Sequence, residues 1–184
     1  RTKSKNVVML LSAKNIKVAL ATTHIPLTEV AKNIRKAKLV ETIQTLHSGL
    51  KTKFKIKHPS ITVLGLNPHA GENGKIGTEE IKKINPAVKV CRDMGINASY
   101  AISADTAFTA KKLKQTDVYL AMYHDQALPV LKALSFGEAV NITLGTGIVR
   151  TSVDHGTALD IAGKMKPNLG SIKEAIKAAE VQLK

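Results

Sequence analysis

Three histidines in this sequence share one context. His24, His69 and His124 each stand just past an apolar run with the pattern of a buried strand, 17–22 (KVALAT), 61–66 (ITVLGL) and 118–122 (VYLAM). Strand ends in an open α/β sheet meet along a common edge, which is where ligand chemistry collects. Three neutral imidazoles with an open position make a catalytic divalent-metal site, best suited to zinc, with cobalt or magnesium as alternatives. Asp105 and Asp125 follow or adjoin strand ends as well. They are carboxylates able to fix a ligand's orientation or to take a proton. Lys132, two turns beyond His124, is placed to act on the same substrate. With Asn141 and Arg150 it offers two cations and an amide, a set suited to a phosphate or a carboxylate. Plainer readings compete. A single strand-end His is commonly a hydrogen-bonded structural residue, and Asp105 serves equally well as the cap of a helix beginning there. His47, beside an apolar helical stripe, and His155, in an Asp-His-Gly turn, read as structural.

The elements that must position these residues follow from periodicity and punctuation. Residues 7–12 and 17–22 read as two short strands around Ala13-Lys14-Asn15, a hairpin or two neighbours. Pro26 stops the second, and a helix opens at Leu27 or Thr28 and runs through Val30 and Ile34. Leu39, Ile43, Leu46 and Leu50 form the stripe of a second helix. The 61–66 run has the continuous apolar character of a strand buried on both faces. It breaks into 67–77 (NPHAGENGKIG), a loop whose glycines allow close backbone approach to a ligand. Helical segments are expected over 78–84 and 87–94, the latter ended by Gly95, then a strand over 98–103. Residues 127–134 have helical spacing, 139–144 read as a strand, a short helix runs to Gly163, and a terminal amphipathic helix starts near Ser171. Two nucleotide motifs fail. Counting back from Gly74-Lys75, a P-loop would need Gly where His69 stands, and after Gly145-Thr146-Gly147 the third dinucleotide-fingerprint Gly falls on Arg150. The alternation implies an α/β fold, doubly wound, with a largely parallel sheet and flanking helices.

Composition narrows the function class. The chain has 184 residues, 43% hydrophobic, and carries a net charge of +14. Such charge raises a basic nucleic-acid-binding module, and 51–58 (KTKFKIKH) is its best local case. Against it, the excess is nearly all Lys spread along the chain, Arg numbers four, and aromatics are 3% with no Trp to stack on bases. A Lys-rich surface that draws in an anionic small molecule accounts better for the charge. The single cysteine, Cys91, excludes an internal disulfide framework. With neither a spanning apolar run nor a signal peptide, the expected location is the cytoplasm. The opening on Arg1 reads as part of a longer protein.

Four segments carry a resemblance: ATTHIPL (21–27), LNPHAGENGKIGTEE (66–80), YHDQALPVLK (123–132) and VNITLGTGIVRTSVDHGTALDIAG (140–163). They closely resemble the 4-hydroxythreonine-4-phosphate dehydrogenase family of vitamin B6 (pyridoxal phosphate) synthesis, in the family's order along essentially the whole chain. The resemblance implies a fold like that of isocitrate and isopropylmalate dehydrogenases, which bind a dinucleotide without the glycine fingerprint. It puts the metal ligands on His24, His69 and His124, the substrate-binding residues on Lys132, Asn141 and Arg150, and the acidic neighbours on Asp105 and Asp125. It also implies a homodimer with the metal site shared, His24 and His69 from one subunit and His124 from the other. Family members are much longer, and a substrate-contacting His-Thr pair belongs to a part before Arg1. Residues 1–146 are then the metal-binding and dimerisation domain, and 147–184 a segment that packs with an N-terminal domain.

The implied reaction is NAD- or NADP-dependent oxidation and decarboxylation of 4-phosphooxy-threonine to 3-amino-2-oxopropyl phosphate. Within the same fold, a dehydrogenase of erythronate or threonate 4-phosphate is the nearest rival, and a dimerising but inactive fragment is another. No dinucleotide-binding residues are assigned.

Overall fold

The structure is a computed structural model in which residues 4, 6–135, 138–154, 159–164 and 168–183 are described. His155 falls outside them. β1 (Val8–Ala13) and β2 (Ile16–Leu20) form an antiparallel hairpin in which Ala13 pairs with Ile16, leaving Lys14-Asn15 as the turn. Lys14 takes φ 51°, the left-handed backbone a two-residue hairpin turn requires. β3 (Ile61–Val63) and β4 (Val118–Ala121) lie parallel to each other, and β4 lies parallel to β2. On the far side β5 (Val140–Leu144) runs antiparallel to β1, and β6 (Thr151–Val153) antiparallel to β5. The six-stranded order is β3-β4-β2-β1-β5-β6. β2, β3, β4 and β5 therefore point one way and end on one edge, with β1 and β6 reversed.

Side-chain alternation divides the core between the two faces, since neighbours on a strand point oppositely. Leu10, Ala19 and Ile142 face a layer that also buries Leu39, Ile43, Leu46 and Leu50 of α2 (Lys36–Lys53) and Val88 and Cys91 of α3 (Asn85–Asp93). That layer also takes in Val30 of the short α1 (Leu27–Asn33). Leu11, Val18 and Leu20 face the other way, onto Ala127, Leu128 and Leu131 of α5 (His124–Ser135), with Tyr119 and Ala107 completing the patch. Helices on both faces make the sheet doubly wound, as expected. Each such fully buried aliphatic side chain contributes about 1.5–3 kcal/mol.

The described residues from 147 onward continue this architecture. β6 extends the sheet, residues 159–161 make a 3₁₀ turn before Gly163, and α6 (Gly170–Leu183) tucks Ala175 into the first layer. Three expectations change. Residues 98–103 make isolated parallel bridges to Ile61 and Leu64 but no continuous strand. The reason is side-chain substitution: Val63 N donates to Ser99 Oγ, and Ala101 N donates to Asn85 Oδ1, so ladder bonds go elsewhere. The helix after the 67–77 loop is continuous, entering through a π turn (Glu80–Ile84) whose wider winding accommodates Pro86, which has no N–H to give. Asp105 caps no helix. α4 (Ala110–Leu113) begins later, preceded by Thr109. No described helix is long and apolar enough to cross a membrane.

Candidate active site at the strand-end edge

The parallel register of β2 and β4 continues past the strands. Ala21 N donates to Ala121 O at 2.8 Å, and Thr22 Oγ1 donates to Met122 O at 2.7 Å, a buried bond across the two chain exits. That lock sets His24 beside His124, with ring centroids 5.6 Å apart and planes inclined by 47°. His124 is the first residue of α5, and its Nδ1 lies 3.2 Å from Asp125 Oδ1. Asp125 is 81% exposed, so the contact orients the ring weakly.

His69 is held differently. After Asn67 the chain enters a left-handed turn in which His69, Ala70, Gly71, Glu72 and Asn73 have φ of 52°, 51°, 79°, 42° and 55°. Left-handed backbone at a non-glycine residue costs roughly 1–2 kcal/mol, so a run of this kind persists only where its surroundings impose it. Glu80, 2% exposed, imposes it here. Leu66 N and Asn67 N donate to its Oε1 at 2.7 and 2.8 Å, and Asn67 Nδ2 donates to its Oε2 at 2.9 Å. Gly71 at φ 79° is required: a Cβ there would stand 2.7 Å from both Glu80 Oε2 and Gly77 O. Gln126 completes the frame by accepting from Met122 N at 2.7 Å and donating to Gly65 O at 2.5 Å, which ties the exit of β4 to that of β3.

A cleft of about 450 Å³ opens between these exits, lined by His69, Asp105, Tyr123, Asp125, Gln126 and their neighbours. Asp105 is exposed, and the Ser103 hydroxyl donates to its carboxylate. That hydrogen bond, with a smaller contribution from nearby His69, holds the Asp105 carboxyl below the usual range. Asn67, donating also to Glu79 at 2.8 Å, does the same for Glu79.

Lys132, Asn141 and Arg150 lie elsewhere. Lys132 stands eight residues along α5 from His124, about 12 Å at helical rise. Its Nζ is 3.4 Å from Asp154 Oδ2, at the end of β6. Asn141 pairs with Ser152 across β5 and β6, and its Oδ1 is buried without a hydrogen-bond partner. Arg150 donates to Thr143 Oγ1 at 2.8 Å from an exposed position. The trio thus gathers around the β5–β6 pairing.

The donor set suits a divalent ion, since neutral imidazoles are ordinary ligands of zinc. Among the described residues of one chain, however, no three His, Cys, Asp or Glu side chains form a single metal-holding group. His47, on α2, is half-buried, and burial followed by Lys51 lowers its pKa. Sequence reasoning missed Glu80, Gln126, Ser103 and Asp154. Glu80 sits in a Glu-Glu pair at a helix start, where a solvated carboxylate is the ordinary expectation, so no signal marked it.

Comparison with known proteins bears on what such a site serves. The model of the family described as pyridoxal phosphate biosynthetic protein PdxA matches residues 1–179. The chain belongs to that family. The 4-hydroxythreonine-4-phosphate dehydrogenase of Enterobacter sp. (strain 638) is 54% identical over 179 residues, which are 97% of this chain and 55% of the relative. That of Chromobacterium violaceum is 54% identical over 180 residues, 98% of this chain and 55% of the relative. The crystal structure of the Klebsiella pneumoniae 4-hydroxythreonine-4-phosphate dehydrogenase superposes with a TM-score of 0.89 at 36% identity, covering all of this chain and 56% of that one. The PdxA-family chain described here thus spans about half the length of the curated relatives it matches.

Proposed function

We propose that this chain is the metal- and phosphate-binding part of a dehydrogenase that oxidises 4-phosphooxy-threonine with NAD or NADP and decarboxylates the product to 3-amino-2-oxopropyl phosphate. The observation that carries this is that His24, His69 and His124 all stand at the one strand-end edge, with His69 lining the adjoining cleft. His24 and His69 of one chain and His124 of a second copy would hold the ion. A divalent ion there supplies Lewis acidity, lowering the pKa of the substrate hydroxyl and drawing charge from the carboxylate-losing carbon.

The protein groups take the remaining work. Asp105, kept ionised by Ser103, accepts a proton or orients His69, and Asp125 plays the same part toward His124. Lys132 and Arg150 bind the anionic ends of the substrate, and the Asn141 amide N–H donates to one of them. Lys132 leaves Asp154 in doing so. Residues 147–184 expose Leu159, Leu169, Ile172, Ile176 and Leu183, the face we assign to packing against an N-terminal domain of the longer protein.

The test is NADH or NADPH formation from 4-phosphooxy-threonine by the full-length protein carrying this chain, beside Lys132→Ala and Asn141→Ala variants. The expected result is turnover that needs added divalent metal, with KM for the phosphorylated substrate raised about tenfold or more by loss of one charged contact. Equal turnover of the substrate lacking its phosphate would contradict the assignment of this trio.

A further inference from the structure

We infer that Glu80 is the positioning residue for His69, acting through the left-handed turn rather than by touching substrate or metal. The inference deepens the proposed function and rests on it for what His69 does. It rests on the structure for how His69 is held. Four non-glycine residues in succession around Gly71 take positive φ, a conformation their own chemistry disfavours. Something outside the turn must therefore select it, and the contacts identify what does.

The Glu80 carboxylate makes its hydrogen bonds at the root of the turn. One oxygen receives the two successive N–H groups of Leu66 and Asn67 as the chain leaves β3, and the other receives the Asn67 side-chain amide. Two successive amides converging on one oxygen fix the direction in which the chain departs. Two glycines keep the space open. A Cβ on Gly65 would stand 3.1 Å from Glu80 Oε1, and one on Gly71 would stand 2.7 Å from Glu80 Oε2. Asn67 is wedged in turn by Gly77, where a Cβ would lie 2.3 Å from its Nδ2. The turn then closes on itself, Ala70 N donating to Asn67 O and Ile76 N to Gly71 O, each at 3.1 Å. His69 is the second residue after the last one Glu80 grips, so its imidazole direction depends on that grip.

A surface glutamate in a helix's first turn would be dispensable for His69, and this distinction is measurable. The experiment compares wild type, Glu80→Ala and Glu80→Gln in the metal-free state and then under zinc titration. It follows the imidazole ¹H–¹³C signals of His69, His24 and His124, together with amide exchange at Leu66 and Asn67. The expected result for Glu80→Ala is a displaced or broadened His69 signal, unmoved His24 and His124 signals, and zinc affinity lower by about tenfold or more, the usual effect of losing a group that orients a ligand. Glu80→Gln keeps the oxygen that serves Leu66 and Asn67 but turns a nitrogen toward the Asn67 amide, two donors face to face. Its His69 signal is expected to shift as well, and it decides the matter if the Ala variant does not fold. An unmoved His69 signal in the folded variants overturns the inference. If wild type binds no zinc while the His69 signal still moves, the positioning role stands and the metal reading falls.

Discussion

Around His69 the backbone amides of Leu66 and Asn67 end on a buried carboxylate, whereas in the β5–β6 pairing a buried amide oxygen, Asn141 Oδ1, ends on nothing. Both regions hold proposed ligand groups, yet they are built on opposite terms. The His69 turn is satisfied from within and keeps a disfavoured backbone in place before any ligand arrives. The β5–β6 region keeps its polar groups half-engaged: Lys132, itself 52% exposed, on an ion pair with the less exposed Asp154, Arg150 on a threonine hydroxyl, Asn141 Oδ1 on no partner. The difference is physically sensible. A metal ligand binds more tightly when the fold orients it in advance, because freezing it on binding subtracts from affinity. A group that grips a mobile anion must give up its resting partner at little expense, and a lysine that already half faces water does so.

Breaking the first region should hurt most. Glu80→Ala leaves two part-buried amides without their acceptor and is expected to lower unfolding free energy by about 2–4 kcal/mol, read from urea melts. A loss under about 1 kcal/mol would mean water replaces the carboxylate, and the turn would not be built from within. Gly71→Ala comes next, at about 2 kcal/mol, because the alanine must hold positive φ with its methyl against Glu80 and Gly77. Wild-type stability in this variant would show that the turn is soft.

The second region should respond in the opposite direction. Asn141→Val removes an unpaired buried acceptor from a strand and is expected to leave stability unchanged or raise it by up to about 1 kcal/mol. The same variant should bind inorganic phosphate more weakly by equilibrium titration. A clear destabilisation would show that Asn141 is structural and that the two regions are alike. The smallest effect is expected at Asp105. Its carboxyl pKa is depressed by the Ser103 hydroxyl, so any stability it lends is present above the ordinary carboxylate pKa and is lost as pH falls through the lowered value. Ser103→Ala should move the Asp105 carboxyl titration, followed by ¹³C NMR, back up toward the usual range, with no change near neutral pH.

Much of the frame was legible in the sequence because burial writes itself into periodicity. The 61–66 and 118–122 runs, the Leu39–Leu50 stripe and the Lys14-Asn15 turn all appear where apolar spacing and punctuation place them. The strand-end positions of His24, His69 and His124 followed from the same runs. What stayed hidden was bonding between side chain and backbone. Ser99 and Asn85 take over ladder bonds that would have made 98–103 a strand, and no periodicity records such an exchange. Glu80 is hidden for a related reason. Nothing in the letters separates a carboxylate that is buried on backbone amides from one that faces water. The left-handed run was only partly visible, since Gly71 and Gly74 announce a turn while His69, Ala70, Glu72 and Asn73 give no sign of joining it.

In the function proposed above, three histidines from two copies of the chain share one ion. Zinc content after mixing separately unfolded and then co-refolded His69→Ala and His124→Ala chains tests that sharing. Each variant alone should bind no zinc. In a two-fold dimer with His24 and His69 from one chain and His124 from the other, a mixed dimer rebuilds one intact site, so statistical mixing should recover about one quarter of an ion per chain. Recovery of no zinc from the mixture, with wild type refolded alongside binding one ion per chain, would contradict a shared site and return all three ligands to a single chain.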